Sequence, residues 1–273
     1  MRHVAWLVAF ALAGCGDDAP RGTASSPPRA DHAAVATIAE VGDPVEGGRV
    51  ARRVGCDGCH GEGGRGEELW GEPGKFQVQS PNLTVVREHY DDAGIERLLR
   101  GGVTHDGHRP LGMPVMMFQY LSDREIRDVT AWLRALPPVE SRPDAKPSWY
   151  SDEFLAQLAD GTYPYDDDRP TPGVVAPAVP PTAGLELGRH LAYTSCTECH
   201  GPDLTGWGDG DTTPSLVAVA KAYTPETFAR LMRTGISASG TDTATMMSGV
   251  ARWRFSSMTD EEIAALKSYL DSR

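Results

Sequence analysis

Cys56-Asp57-Gly58-Cys59-His60 and Cys196-Thr197-Glu198-Cys199-His200 are two copies of one pentapeptide, and the rest of the chain is spaced around them. They stand 140 residues apart and carry their surroundings with them. At that offset Glu46, Gly48, Arg49 and Gly61 fall on Glu186, Gly188, Arg189 and Gly201. At an offset of 133, Pro81, Leu83, Tyr90, Arg100 and Gly102 fall on Pro214, Leu216, Tyr223, Arg233 and Gly235. At 137, Asp123, Glu125, Ile126 and Leu133 fall on Asp260, Glu262, Ile263 and Leu270. Offsets that change only between blocks mark one set of elements joined by loops of different length, so the chain is a duplication.

Each pentapeptide has the spacing by which c-type haem is attached. Two thiols one helical turn apart can both form thioethers with one porphyrin. The histidine that follows, His60 or His200, then stands where its imidazole can bind the iron. Four of the five cysteines, Cys56, Cys59, Cys196 and Cys199, are used this way. Structural zinc pairs lie a dozen or two residues apart, and neither zinc nor a redox dithiol explains a histidine after both pairs. The glycine-rich stretch Gly61 to Gly66 lacks a preceding strand and a Lys-Ser/Thr, which excludes a phosphate loop.

Outward from the motifs, Asp43-Pro44 reads as an N-cap and first helical residue, predicting a helix over Val45 to Val54 that delivers Cys56. Ser122-Asp123-Arg124-Glu125 and Thr259-Asp260-Glu261-Glu262 are capping boxes. Behind them Ile126, Val129, Leu133 and Leu136, and likewise Ile263, Leu266 and Leu270, recur on one helical face. No β alternation of useful length stands out, so the expectation is an all-α chain. Ten prolines between Pro137 and Pro181 predict an extended linker, with one short helix near Ser151 to Leu158 and some packing through Trp149, Tyr150, Tyr163 and Tyr165. The expected organisation is a signal segment at 1–14, a tether at 15–40, a first domain at 41–138, a Pro-rich linker at 139–183 and a second domain at 184–273.

Haem pentapeptide, Pro-x-Leu, a middle helix, a methionine and a capped last helix, in that order and twice, resemble the class I cytochromes c. The resemblance implies two tandem domains with two covalently attached haem c groups. It implies His60 and His200 as axial ligands, each with its N–H accepted by a proline carbonyl, at Pro81 and Pro214. It also implies a downstream methionine as the other ligand. In the first copy Met113, followed by Pro114 and later by Leu121-Ser122-Asp123, fits best, with Met116 next; Met116 and Met117 also read as core filler. His89, His105 and His108 are competing ligands there. In the second copy no histidine follows His200, and the choice lies between Met246 and Met247. Spacing from the repeat glycine favours Met246. The Met-Ser-x-Val-Ala context favours Met247, which is the choice made.

The formal charge of −12 and an ordinary apolar content argue against nucleic acid and toward protein partners met by electrostatic steering. Val4 to Ala13 is apolar but too short to span a bilayer, and Leu12-Ala13-Gly14-Cys15 resembles a bacterial lipoprotein cleavage box. Cys15 would carry the lipid, placing the chain on the periplasmic side of a bacterial membrane. The resulting expectation is an electron-transfer protein, not an enzyme. It would exchange single electrons with a dehydrogenase, an oxidase or another cytochrome. The alternative is a di-haem oxidoreductase, such as a peroxidase with one open iron.

Overall fold

The structure is a computed structural model that describes residues 41–163, 169–207, 213–242 and 245–273. The expected signal segment, the tether, Cys15 and Tyr165 lie outside the described residues.

In the first copy α1 (Pro44–Val54) starts as the sequence predicts, with the Asp43 carboxylate accepting from the N–H groups of Val45 and Glu46. Gly55 closes it at φ 93°, a left-handed conformation that a side chain would strain. The first pentapeptide follows at once as α2 (Cys56–Cys59). Next come β1 (Glu67–Glu72), β2 (Phe76–Ser80), α3 (Leu83–Val86), α4 (Asp92–Gly101), α5 (Val115–Phe118) and α6 (Asp123–Ala135). The Ser122–Glu125 capping box is formed in both directions. Helix α6 stops ahead of Pro137 and packs against α1, and α4 and α5 close the core around Val50, Ile95, Met117, Leu121 and Ile126.

The second copy repeats this without strands among its described residues: α8 (Gly184–Ser195), α9 (Thr197–His200), α10 (Leu216–Val219), α11 (Pro225–Thr234), α12 (Thr245–Val250), a π-helical turn over Ala251–Phe255, and α13 (Asp260–Asp271). Helices α8 and α13 cross as α1 and α6 do, around Leu191, Phe228, Leu231, Met258 and Leu270.

The all-α expectation is therefore corrected. The first copy carries an antiparallel sheet ordered β1-β2-β3, and β3 (Trp149–Tyr150) comes from the segment read as linker. Phe76, Val78 and Ser80 of β2 are buried while Gln77 and Gln79 are partly exposed, a period of two. That alternation spans five residues and carries one aromatic and one β-branched residue, too little to stand out in sequence. The predicted linker helix forms as α7 (Asp152–Asp160) and packs Phe154 and Leu158 against Phe76 and Val78. The rings of Phe76 and Phe154 stack with centroids 4.3 Å apart. Further on, the carbonyls of Pro177 and Ala178 accept from the N–H groups of Asp123 and Arg124. Segment 139–183 is thus fastened to the first copy along much of its length.

The two copies meet face to face around a pseudo-twofold axis. Helix α1 touches the π turn of the second copy, and α8 touches α5 of the first, which is the same contact made in reverse. Close approaches also correct the repeat register. A Cβ at Gly47 would lie 1.8 Å from the carbonyl oxygen of Asp128, and one at Gly188 would lie 2.1 Å from that of Ala265. These are equivalent helix crossings, so Gly47 matches Gly188 and the first helices align at 141, one residue beyond the offset of the motifs. The extra residue is Gly55, which separates α1 from α2, whereas α8 runs directly into Cys196.

Candidate functional site

In both copies the pentapeptide is bent back by hydrogen bonds that place its histidine. The Gly66 N–H donates to the carbonyl of His60 at 2.7 Å, and that of Gly206 to His200 at 2.9 Å. The glycines directly after the histidines, Gly61 and Gly201, hold φ of 71° and 76° and allow this reversal. The expected proline partners are in place. His60 Nδ1–H donates to Pro81 O at 2.9 Å, and His200 Nδ1–H donates to Pro214 O at 2.8 Å. With Nδ1 committed, Nε2 of each ring is the nitrogen available for a metal. Burial lowers the pKa of both imidazoles, an effect only partly offset by the proline carbonyls, and keeps them neutral as a ligand must be.

Cys56, Cys59, His60, Pro81 and Met113 all line one apolar cavity in the first copy. Ile95, Leu99, Phe118 and Val129 supply its helical wall, and Val78 and Tyr150 bring in the sheet. The unforeseen sheet is therefore part of the site. It also steadies the methionine loop, since the Trp70 ring lies against Gly112, the residue before Met113. Met116 and Met117 are buried outside this lining, as core residues. None of His89, His105 and His108 lines the cavity. His105 stacks on Tyr90 and shares a 2.8 Å hydrogen bond with His89.

In the second copy Met246 is 73% exposed, whereas Met247 packs against the core cluster together with Cys196, Leu216 and Val250. Where Pro114 follows Met113, Ser248 follows Met247, and its hydroxyl donates to the carbonyl of Gly235 at 2.6 Å. That bond supplies by side chain the restraint that the proline ring supplies in the first copy. Met232 and Met258 are buried in the core, as their first-copy counterparts Leu99 and Leu121 are.

No disulfide joins the four cysteines. Burial, the largest cause, pushes the thiols of Cys56 and Cys196 up to about 12, opposite to the lowered pKa of a redox-active dithiol. No group of three or more His, Cys, Asp or Glu side chains among the described residues is arranged to hold a bare metal ion. An apolar cavity carrying two thiols, an oriented imidazole and a thioether on its walls fits a porphyrin and not a naked cation.

Sequence reasoning missed a set of charged residues at the seam between the copies. The Glu125 carboxylate accepts from Arg53 at 2.6 Å and from His190 of the second copy at 2.8 Å, all three buried. Arg53 also donates to Thr194 at 2.6 Å. Across the axis Arg49, the counterpart of His190, donates to Glu262, the counterpart of Glu125, at 2.7 Å. Burial favours the protonated form of Glu125, but the hydrogen bond from His190 and the charge of Arg53 outweigh it and hold the carboxyl at about 2. The signal was available: Glu125 and Glu262 are capping-box residues, and a box explained them before any second partner was sought.

Two haem-attachment motifs set in a duplicated helical fold, each with its histidine oriented by a proline carbonyl, define a c-type haem protein. The cytochrome c family profile matches residues 45–137 and 185–273, and the chain belongs to that family. No curated protein matches the chain. The cofactor is covalently attached haem c, one in each matched region, and the family's chemistry is haem-based electron transfer.

Proposed function

We propose that this chain is an electron relay with two closed irons, held by His60 and Met113 in a first domain (41–138) and by His200 and Met247 in a second (184–273). The observation that carries this reading is the pairing, in one cavity, of the Pro81-oriented imidazole with Met113. When bound, haem supplies an iron that changes charge by one electron without making a bond to substrate.

Around it the chain's residues bind, orient and shield. Cys56 and Cys59, and Cys196 and Cys199, anchor the porphyrin edge. Pro81 and Pro214 fix the tautomer and tilt of each imidazole. Thioether ligation from methionine raises the potential. The apolar walls keep water from the iron, so no acid or base chemistry is required and the chain acts as a carrier and not as an enzyme. The partners in this reading are a dehydrogenase, an oxidase or another cytochrome, met on the periplasmic face of a bacterial membrane to which lipid on Cys15 tethers the chain.

Spectra of the holoprotein test this. Both haems are expected to be low-spin, with a methionine–iron charge-transfer band from each and no reaction with peroxide. Met113→Ala and Met247→Ala should each turn one haem high-spin. A high-spin haem in the wild type that reacts with peroxide would overturn the carrier reading, and the same effect from Met246→Ala in place of Met247→Ala would overturn the second ligand. Mass spectrometry of the mature N-terminus should find lipid on Cys15, and Cys15→Ser should release the chain from the membrane fraction.

A further inference from the structure

The two pentapeptides are not isolated in their own halves. Glu198, in the middle of the second motif, lines the cavity of the first copy. Above the first motif lies the π turn of the second copy. A Cβ at Gly58, between Cys56 and Cys59, would lie 2.5 Å from the Trp253 ring, and one at Gly55 would lie 2.9 Å from Cζ of Arg254. π-Helical turns recur at functional sites because they aim a side chain that a regular helix would direct elsewhere.

Here the aimed side chain is Arg254, which is buried. Its Nε donates to the carbonyl of Arg53 in the first copy, its Nη1 donates to Glu198 Oε2 at 2.8 Å, and its buried Nη2 has no hydrogen-bond partner. The equivalent position in the first copy is Met117, so this cation is not part of the repeat.

We propose that Arg254, with Glu198 as its counter-ion, is a positioning and tuning residue for electron exchange between the two haems. It locks the two attachment helices together and holds a positive charge beside both. A fixed cation disfavours the more positive ferric state, and burial keeps its field unscreened, so it raises the potential of both irons. Glu198 works in the opposite sense on the same sites. The inference rests on the relay reading.

Potentiometric titration of the holoprotein separates this charge effect from a structural one. Arg254→Met should lower both midpoint potentials, Arg254→Lys should leave them near the wild type, and Glu198→Gln should raise them. A seam that merely keeps water out would move Arg254→Met and Glu198→Gln in the same direction. That result, or unmoved potentials with both haems low-spin, would overturn the proposal. If Arg254→Met does not fold, Glu198→Gln decides: a rise upholds the inference, and no change or a fall ends it. Failure of the relay reading would appear separately, as a high-spin spectrum in the wild type.

Discussion

The two copies of one domain solve the same problem with different materials. The second is built from helices and a methionine loop tied down by the Ser248 hydroxyl. The first adds a sheet, draws a strand and a helix from the following segment, and uses a proline after its methionine. What both keep is the set proposed to hold the haem iron: two thiols, a histidine, a proline carbonyl for that histidine, and a methionine. Duplication preserved the chemistry and left the walls free to diverge, because an apolar wall can be made from any close-packed surface. The seam shows the same freedom. Where one copy presents Arg49 to Glu262 with only the arginine partly exposed, the other presents His190 and Arg53 to Glu125 with every partner buried.

The comparison is broken most severely by removing one set of thiols. Cys56→Ala with Cys59→Ala should leave a protein with one haem on a haem-stained denaturing gel, and the second copy should keep its low-spin spectrum. Loss of both haems would show that the halves are not independent in attachment. The seam comes next. Glu125→Gln strips the counter-charge from buried Arg53 and should cost roughly 3 to 5 kcal/mol in denaturant unfolding. A similar loss follows truncation of the inserted sheet's anchor. Phe154→Ala should cost about 3 kcal/mol, confined to the first copy, since it opens a hole beneath Phe76 that nothing in the second copy resembles. Glu262→Gln should cost only about 1 kcal/mol, because the partly exposed Arg49 keeps its pairing with Glu46 and is not left without a counter-charge. Equal losses at Glu125 and Glu262 would refute the asymmetry.

Acid sharpens the same contrast. The Glu125 carboxyl is held down at about 2 against an ordinary 4.5, so its stabilisation is present above pH 4.5 and drains away as pH falls toward 2. The wild type should therefore lose stability across that window, followed by calorimetry, and Glu125→Gln should flatten this part of the profile. A profile with the same slope in both proteins would place the acid sensitivity elsewhere.

Much of the site could be read without coordinates, because covalent chemistry demands residues at fixed spacing along the chain. The four cysteines, the two histidines, the proline acceptors and both capping boxes are local patterns, and the structure forms both boxes and both histidine-to-proline hydrogen bonds. Met247 over Met246 needed more. Two sequence arguments pulled apart, and the packing, with Met247 partly buried against the core and Met246 exposed, supports the proposal of Met247. The sheet was not legible because β2 is five residues long and its partner β3 lies some seventy residues away across a proline-rich segment. The repeat was read one residue out of step in α1, since Gly55 counts as one residue in sequence but in space it is a left-handed turn.

The sequence by itself determined that there are two haem c sites in a duplicated helical domain, because attachment and capping each depend on contacts within a few residues. Only the tertiary structure decided how the copies face each other, what the proline-rich segment does, and that Arg254 and Glu198 meet between the two motifs. Those are contacts between residues distant in the chain, such as Arg53 with Thr194, and no periodicity or spacing encodes them. They follow from two similar surfaces packing around one axis, where a residue's neighbour is chosen by shape and charge and not by its place in the chain.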